Sequence, residues 1–429
     1  MENMNSIQAS RDTWTPSSRR WLVLTLCSLL FILSQFYRVS NAIIAPRLQL
    51  DLSISSEALG ILGAVFFYSF AFVQIPLGLL LDRIGARLIM TVLSIIGAIG
   101  AFLFASAQDM TMAVLGRTLL GLGMAGNFMG SLKLFTTWFS PREFATLSGV
   151  IVALGTIGNM VAATPLAIMV TAIGWRWSFI CIGIVTFLLA VIFFFLITDR
   201  PIGTLENKLD IPSPSSTLHH IRLLITSHNY WIICFSTFLR YGIFVAIQGL
   251  WAGPYLIKGL GFSPVKAGNF LLLLNIGYII GSPLSGWLSD RVIGSPKRVV
   301  LMGVAIMAWC IYALSKDWCT TNVWILGGVL LTLGTFSSFG IIMYAHIKEL
   351  MPPDMSGMAF TGINLFTMLG GAVVMQVMGL LLDHLSTTGE ATLKDYHIVF
   401  FYASLGTVFA LAIYFFTRGR GKPDRHQSS

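Results

Sequence analysis

Four basic side chains lie inside long apolar stretches of the sequence: Arg38, Arg117, Lys133 and Arg240. No acidic residue accompanies them, because all 18 carboxylates fall in polar stretches or at the ends of apolar ones. An unpaired charge is costly to bury in an apolar environment, so each of these cations needs a partner. Guanidinium groups bind carboxylate and phosphate oxygens through parallel pairs of hydrogen bonds. We therefore expect a bound anion to supply the missing negative charge.

Two of these cations stand beside a tyrosine. Tyr37 precedes Arg38 and Tyr241 follows Arg240, so each pair offers a guanidinium fork and a phenol hydroxyl to one anion. The remaining candidate ligands are Lys133, Gln248 and Asn127. Each has an alternative role: the lysine side chain can extend its charge to the aqueous surface, and the two amides can form hydrogen bonds between neighbouring helices.

The composition determines which solvent surrounds these residues. The chain has 429 residues, 55% of them hydrophobic and 10% charged, with a mean hydropathy of +0.80. Soluble proteins carry roughly 25% charged residues, because most of their surface faces water. The composition therefore excludes a soluble enzyme, a nucleic-acid-binding protein and a disordered chain, and it predicts an all-α protein that crosses a membrane several times.

Twelve apolar runs are long enough to cross the hydrocarbon layer, which takes about 20 residues per helix. A polar linker at 199–228 divides them into two groups of six, at 21–198 and 229–417, between tails at 1–20 and 418–429. The predicted spans are 21–46, 57–81, 87–107, 110–138, 144–172, 176–198, 229–257, 264–288, 298–316, 322–347, 356–382 and 395–417.

The loop charges predict the orientation. With a cytoplasmic N-terminus, 17 of the 27 basic residues lie in cytoplasmic segments and six in loops on the other side. Because Lys and Arg are retained in cytoplasmic loops, we expect both termini in the cytoplasm. This bias also accounts for most of the net charge of +9 without a nucleic-acid partner. The sequence has no N-x-S/T glycosylation site, in keeping with a bacterial inner membrane.

The two halves repeat a motif. The sequence GxxxDR begins at Gly78 and again at Gly286, 208 residues later. Repeated halves of a membrane protein place a transport site at their interface. The repeat is imperfect, since Arg38 precedes Asp82 by 44 residues whereas Arg240 precedes Asp290 by 50. Glycines here predict close helix contacts.

These motifs carry a family resemblance. The run from Gly78 to Arg87 resembles the loop signature of the major facilitator superfamily, and Arg117-Thr-Leu-Leu-Gly121-Leu-Gly123 resembles its fourth-helix signature. The resemblance implies two pseudo-symmetric six-helix bundles that alternate in access, with a conformational latch on the cytoplasmic side. As an alternative, the latch residues only anchor the topology. The implied gating residues are Gly78, Asp82, Arg83, Arg87, Arg117, Asp290 and Arg291.

The segment from Phe36 to Pro46 is similar to the first helix of two anion-handling branches, the anion:cation symporters and the organophosphate:phosphate antiporters. The antiporter resemblance implies that Arg240 completes an anion clamp with Arg38. In the symporter branch a glutamate on the fourth helix carries the proton, and this chain has Met124 at that position. Proton coupling through that residue is therefore in doubt. His346 is a candidate proton carrier.

The sequence thus predicts a secondary active transporter of a small phosphorylated or carboxylated solute, working by anion exchange or by proton-coupled symport. The alternative is a multidrug or metabolite exporter of the same superfamily, which a partial glycine motif in the fifth span favours but which predicts buried carboxylates. We expect no enzymatic activity, no cofactor, no metal and a monomer in the bilayer.

Overall fold

The computed structural model describes residues 17–200, 223–350, 356–386 and 391–417, and throughout these ranges the secondary structure is helical. Among them, ten helical runs are long and apolar enough to cross a membrane. The predicted tails, apart from 17–20, and most of the predicted linker lie outside the described residues.

The first half of the chain forms eight helices. They are α1 (Ser17–Val39), α2 (Asn41–Leu52), α3 (Ser56–Arg83), α4 (Ala86–Ala105), α5 (Met110–Met124), α6 (Gly126–Trp138), α7 (Pro141–Val161) and α8 (Thr164–Leu196).

The second half contains α-helices interrupted by short π and 3-10 segments. They are α9 (His228–Ala246), a π segment (Ile247–Trp251), α10 (Ala252–Pro254), a π segment (Tyr255–Gly259), α11 (Pro264–Trp287), a π segment (Leu288–Val292), α12 (Pro296–Leu314), α13 (Asp317–Thr320), α14 (Val323–Ser337), a 3-10 segment (Ser338–Ile341), α15 (Ile342–Leu350), α16 (Ser356–Leu385) and α17 (Leu393–Phe415).

The difference between ten observed runs and twelve predicted spans has a simple origin. The run 147–196 contains two predicted spans, joined at Gly174, whose φ of 81° lies where glycine is favoured. The predicted fourth span is divided into α5 and α6, of 15 and 13 residues, each too short to cross alone. Each of the twelve predicted spans therefore has helical counterparts.

The helices are irregular at corresponding places in the repeat. Predicted spans one, four, seven and ten are interrupted at Ser40, at Ala125, at Ile247–Trp251 and at Ser338–Ile341. These four spans are three apart along the chain. Breaks in spanning helices expose backbone carbonyls that must find partners inside the protein.

The described chain divides into two units. Unit 1 comprises Met1–Arg38, Ser69–Asn159 and Arg176–Ile211. Its helices α4 and α5 pack closely, because a methyl group added at Gly123 would overlap the backbone of Gly97, and one at Gly116 would lie 2.6 Å from the backbone nitrogen of Phe104. No described atom lies within 4 Å of the position of a methyl group at Gly78. The close approach expected at the loop motif is found along α4 and α5 instead.

Unit 2 comprises Val39–Tyr68, Met160–Trp175 and Pro212–Ser429. Within it, α2 packs on the interrupted seventh span so tightly that a methyl group at Gly253 would overlap the carbonyl of Ala42. The indole nitrogen of Trp251 donates to the carbonyl of Met375 at 3.2 Å. Glycine and a buried aromatic anchor thus hold these helices together.

The first turn of α7 carries a capping box. Glu143 accepts hydrogen bonds from the backbone nitrogen of Ser140 at 2.9 Å and from its hydroxyl at 2.8 Å, and Arg20 donates to the same carboxylate at 2.6 Å. These bonds, led by the backbone one, hold the pKa of Glu143 below its ordinary value of 4.5. The Ser-Pro-Arg-Glu sequence is a capping signal that fixes where α7 begins.

The glycine contact between α4 and α5 gives a stability prediction. We expect Gly123→Ala to lower the melting temperature of the purified protein by several degrees, because overpacking in a close contact costs about 1–3 kcal/mol. Gly78→Ala is the matched control, since its methyl group has room. Thermal unfolding in detergent measures both variants, and equal melting temperatures would refute the close contact.

Candidate functional site

Arg117 is buried at the first helix break. Its side chain is 1% exposed, and Nη1 donates to the carbonyl oxygen of Tyr37 at 3.1 Å. That carbonyl lies in the last turn of α1, where backbone carbonyls lack helical partners and the helix dipole is negative. The end of a neighbouring helix therefore compensates this cation without a carboxylate.

Arg240 makes the same kind of contact in unit 2. It is 4% exposed and donates from Nη1 to the carbonyl oxygen of Ser337, the last residue of α14, at 2.7 Å. A methyl group at Gly340 would overlap its guanidinium, so the arginine packs directly on the 3-10 segment. Its Nε–H is buried and has no hydrogen-bond partner among the described residues.

Arg38 differs from both in exposure. It lies in the last turn of α1 and is half-buried rather than enclosed. Nη1 donates to Oε1 of Gln35 at 3.2 Å, and the guanidinium carbon lies 6.0 Å from the centre of the Phe70 ring. Of Arg38, Arg117 and Arg240, only Arg38 is not fully buried.

The two tyrosines named with these arginines have different surroundings. The hydroxyl of Tyr37 is buried and lies 3.0 Å from the hydroxyl of Thr186 in unit 1. Tyr241 is half-buried, and its ring centre lies 6.5 Å from that of Phe244. The phenol of Tyr37 is thus already committed to α8, whereas Tyr241 retains access to solvent.

Lys133 lies far from Arg38 along the membrane normal. Asn127 on α6 donates from Nδ2 to the carbonyl of Leu30 on α1 at 3.3 Å, which places these two residues at one level. Helical rise puts Arg38 about 12 Å above that level and Lys133 about 9 Å below it, because the helices are antiparallel. The backbone positions of Arg38 and Lys133 are therefore about 21 Å apart along the helix axes.

The two candidate amides both join helices. Asn127 also accepts from the hydroxyl of Ser94 at 3.2 Å. Gln248 donates from Nε2 to Oδ1 of Asn275 at 2.7 Å, and Asn275 donates in turn to the carbonyl of Leu271. All of these groups are buried, so both amides contribute to interhelical hydrogen bonding in this conformation.

The implied latch is described only in part. The side chains of Asp82 and Asp290 lie outside the described residues, and Arg83 and Arg291 are exposed. The backbone nitrogen of Arg87 donates to Oδ1 of Asp199, and its Nε donates to the carbonyl of Phe194, both at 2.8 Å. Asp199 therefore caps the first turn of α4 from the end of α8.

His346 is enclosed in the apolar core of unit 2. It is 1% exposed, and Nδ1 lies 2.6 Å from the hydroxyl oxygen of Tyr414. Among the described residues, no group of three or more His, Cys, Asp or Glu side chains is placed to hold a metal ion.

Sequence reasoning missed most of the partners that hold these groups. Gln35 is three residues before Arg38, and helical spacing alone could have identified it. Ser337, Thr186 and Tyr414 are 97, 149 and 68 residues away from the groups they bond. No periodicity connects such positions, so only the packed helices show them.

Comparison with known proteins gives relatives that extend over most of the chain. It is 26% identical over 413 residues to an uncharacterized transporter, YybO, of Bacillus subtilis, covering 92% of this chain and 94% of the relative. It is 23% identical over 392 residues to a D-galactonate transporter of Escherichia coli, with coverages of 85% and 90%. It is 25% identical over 373 residues to a probable hexose phosphate transport protein of Chlamydia muridarum, with coverages of 80% and 81%.

The fold also has a solved counterpart. A bacterial homologue of the human lysosomal transporter Spinster, in an inward-facing and unoccupied conformation, superimposes with a TM-score of 0.79 at 17% identity, covering 94% of this chain and 97% of that one. The family model of the Major Facilitator Superfamily matches residues 24–274 and 233–429. The twelve helical spans, the repeated loop motif and this match together establish that the chain is a multi-pass membrane transporter belonging to the major facilitator superfamily.

Proposed function

We propose that this transporter carries a small organic anion by alternating access and that Arg38 is its principal anion ligand. The observation that carries the proposal is the partial exposure of Arg38 at the end of α1. Arg117 and Arg240 are enclosed and donate to helix-end carbonyls. A solute carboxylate or phosphate matches the guanidinium of Arg38 in charge and in hydrogen-bond geometry.

The chemistry of the site favours a carboxylated or phosphorylated solute. A guanidinium binds either group through two parallel hydrogen bonds. Two of the relatives are named as a D-galactonate transporter and a probable hexose phosphate transport protein. Both solutes place an anionic group on a hydroxylated carbon chain, and we propose the same class here. An exporter of lipophilic cations would instead use carboxylates at membrane depth.

Two coupling modes are consistent with a cationic site. In exchange, one anion replaces another before the access changes, so the site is never left empty and charged. In symport, a proton accompanies the anion. Counterflow in proteoliposomes, with and without a pH gradient, distinguishes them, because only symport accumulates the anion without an anion on the other side.

The role of Arg38 gives a transport prediction. We expect Arg38→Ala to lower kcat/KM for D-galactonate or glucose 6-phosphate counterflow at least tenfold, since a hydrogen bond to a charged group is worth about 1.5–3 kcal/mol. Arg38→Lys should retain part of the activity, because it keeps the charge without the fork.

Arg47→Ala is the matched control, since Arg47 is an exposed arginine on α2. We expect it to transport at the wild-type rate. A solute panel in which the wild type prefers a neutral or cationic compound, undiminished by Arg38→Ala, would overturn the anion proposal.

We propose separately, from the repeat, that Arg240 also contributes to anion binding through its remaining donors. Arg240→Lys keeps the charge and one bond to Ser337 but loses the Nε–H donor. We expect a KM at least tenfold higher with a melting temperature within a few degrees of wild type. A lower melting temperature with an unchanged KM would show that Arg240 serves only to hold the break in the tenth span.

We propose a bacterial inner-membrane location with both termini in the cytoplasm, on the basis of the loop charges. Fusion of alkaline phosphatase to the C-terminus should give an inactive reporter, whereas fusion in the loop before Val323 should give an active one. The reverse pattern would contradict the orientation.

A further inference from the structure

We propose that His346 and Tyr414 form a proton-binding pair that couples proton movement to anion transport. The inference rests on the proposed anion transport and adds the group that takes the proton. A carboxylate is the usual intramembrane proton carrier, and the acidic residues of the described spans stand at helix ends. A histidine is the remaining side chain that titrates near neutral pH.

The geometry of the pair is that of a relay. His346 lies on α15 and Tyr414 near the end of α17, with Nδ1 and the phenol oxygen 2.6 Å apart. The ring centres are 5.6 Å apart at 68°. Both residues are at most 1% exposed and lie among the apolar side chains that pack α15 against α9 and α12. A proton on this pair is shielded from bulk water.

The charged and titratable groups around the pair are mostly basic or phenolic. On α15 and α17 they include Tyr344 and Tyr414, and α16 carries Asp383 and His384 only at its distant end. The side chains of Lys348 and Glu349, at the end of α15, lie outside the described residues. The groups on α9 are His228, Tyr230, Cys234, Arg240 and Tyr241, and those on α12 are Lys297, Arg298, Cys310 and Tyr312.

Arg240 makes proton binding depend on the anion. Arg240 lies in the same unit as the pair, so a proton on His346 adds a second positive charge to unit 2. A negative solute near Arg240 offsets that repulsion. Because coupling between two ligands is reciprocal, a bound proton must then strengthen anion binding by the same factor.

The hydrogen bond between His346 and Tyr414 reverses its direction when the pair takes up a proton. When His346 is neutral with its proton on Nε2, the Tyr414 hydroxyl donates to Nδ1. When a hydronium ion gives its proton to Nδ1 and leaves water, the new N–H donates to the phenol oxygen, and the hydroxyl proton of Tyr414 turns away from Nδ1. Return of the Nδ1 proton to water on the other side, as hydronium, restores the first arrangement.

The experiment compares two activities of one reconstituted protein. Proteoliposomes are tested for counterflow and for uptake driven by an inward proton gradient alone, with D-galactonate and glucose 6-phosphate as probes. We expect wild type to perform both with at least one probe. His346→Gln and Tyr414→Phe should retain counterflow within about threefold and lose at least tenfold in gradient-driven accumulation, together with the pH dependence of KM.

His397→Gln is the matched control. His397 also lies on α17, where its Nδ1 is 3.4 Å from a carboxylate oxygen of Asp317, and its replacement should leave gradient-driven uptake unchanged. Gradient-driven accumulation retained in both His346→Gln and Tyr414→Phe would overturn the inference, as would wild-type counterflow without any gradient-driven uptake. Tyr414→Phe preserves the aromatic ring, so it decides the matter if His346→Gln fails to fold. Absence of both activities with every anionic probe would refute the anion proposal itself.

Discussion

The structure depends on how buried arginines find hydrogen-bond acceptors in an apolar interior. Arg117 and Arg240 solve the problem in the same way, by donating to carbonyls at the ends of interrupted helices. A helix end has unpaired carbonyls and the negative pole of its dipole. The cation and the break therefore stabilise each other: without the break the arginine lacks an acceptor, and without the arginine the carbonyl is left unsatisfied in an apolar interior.

The arginine and its carbonyl acceptor lie on opposite members of the repeat in the two units. In unit 1 the arginine lies on the fourth span and its acceptor on the first, whereas in unit 2 the arginine lies on the seventh and its acceptor on the tenth. Each of these four spans is thus interrupted. Glycines such as Gly123 and Gly253 allow neighbouring helices to approach closely near the interruptions. A moving helix can change such a contact without exposing a charge, because the acceptor belongs to the backbone of its neighbour.

The same constraint separates the remaining cations by role. Arg38 stands at the end of α1 and, unlike Arg117 and Arg240, is not fully buried. Lys133 is about 21 Å away along the helix axes and belongs to a different level of unit 1. His346 is uncharged when its ring carries one proton, which makes it the buried group whose charge can change during a transport cycle.

The sequence by itself determined the membrane environment, the helical spans, the two repeated halves and the superfamily, because each rests on composition or on spacing within a short segment. It also identified Arg38, Arg117, Lys133 and Arg240 as the cations that need partners. It did not reveal that Ser337 accepts from Arg240 or that Asp199 caps α4, and it predicted close packing at Gly78 that lies instead along α4 and α5. The first two of these contacts join residues 97 and 112 positions apart. Only the tertiary structure decided them, since which helix end meets which side chain is fixed by packing and not by local pattern.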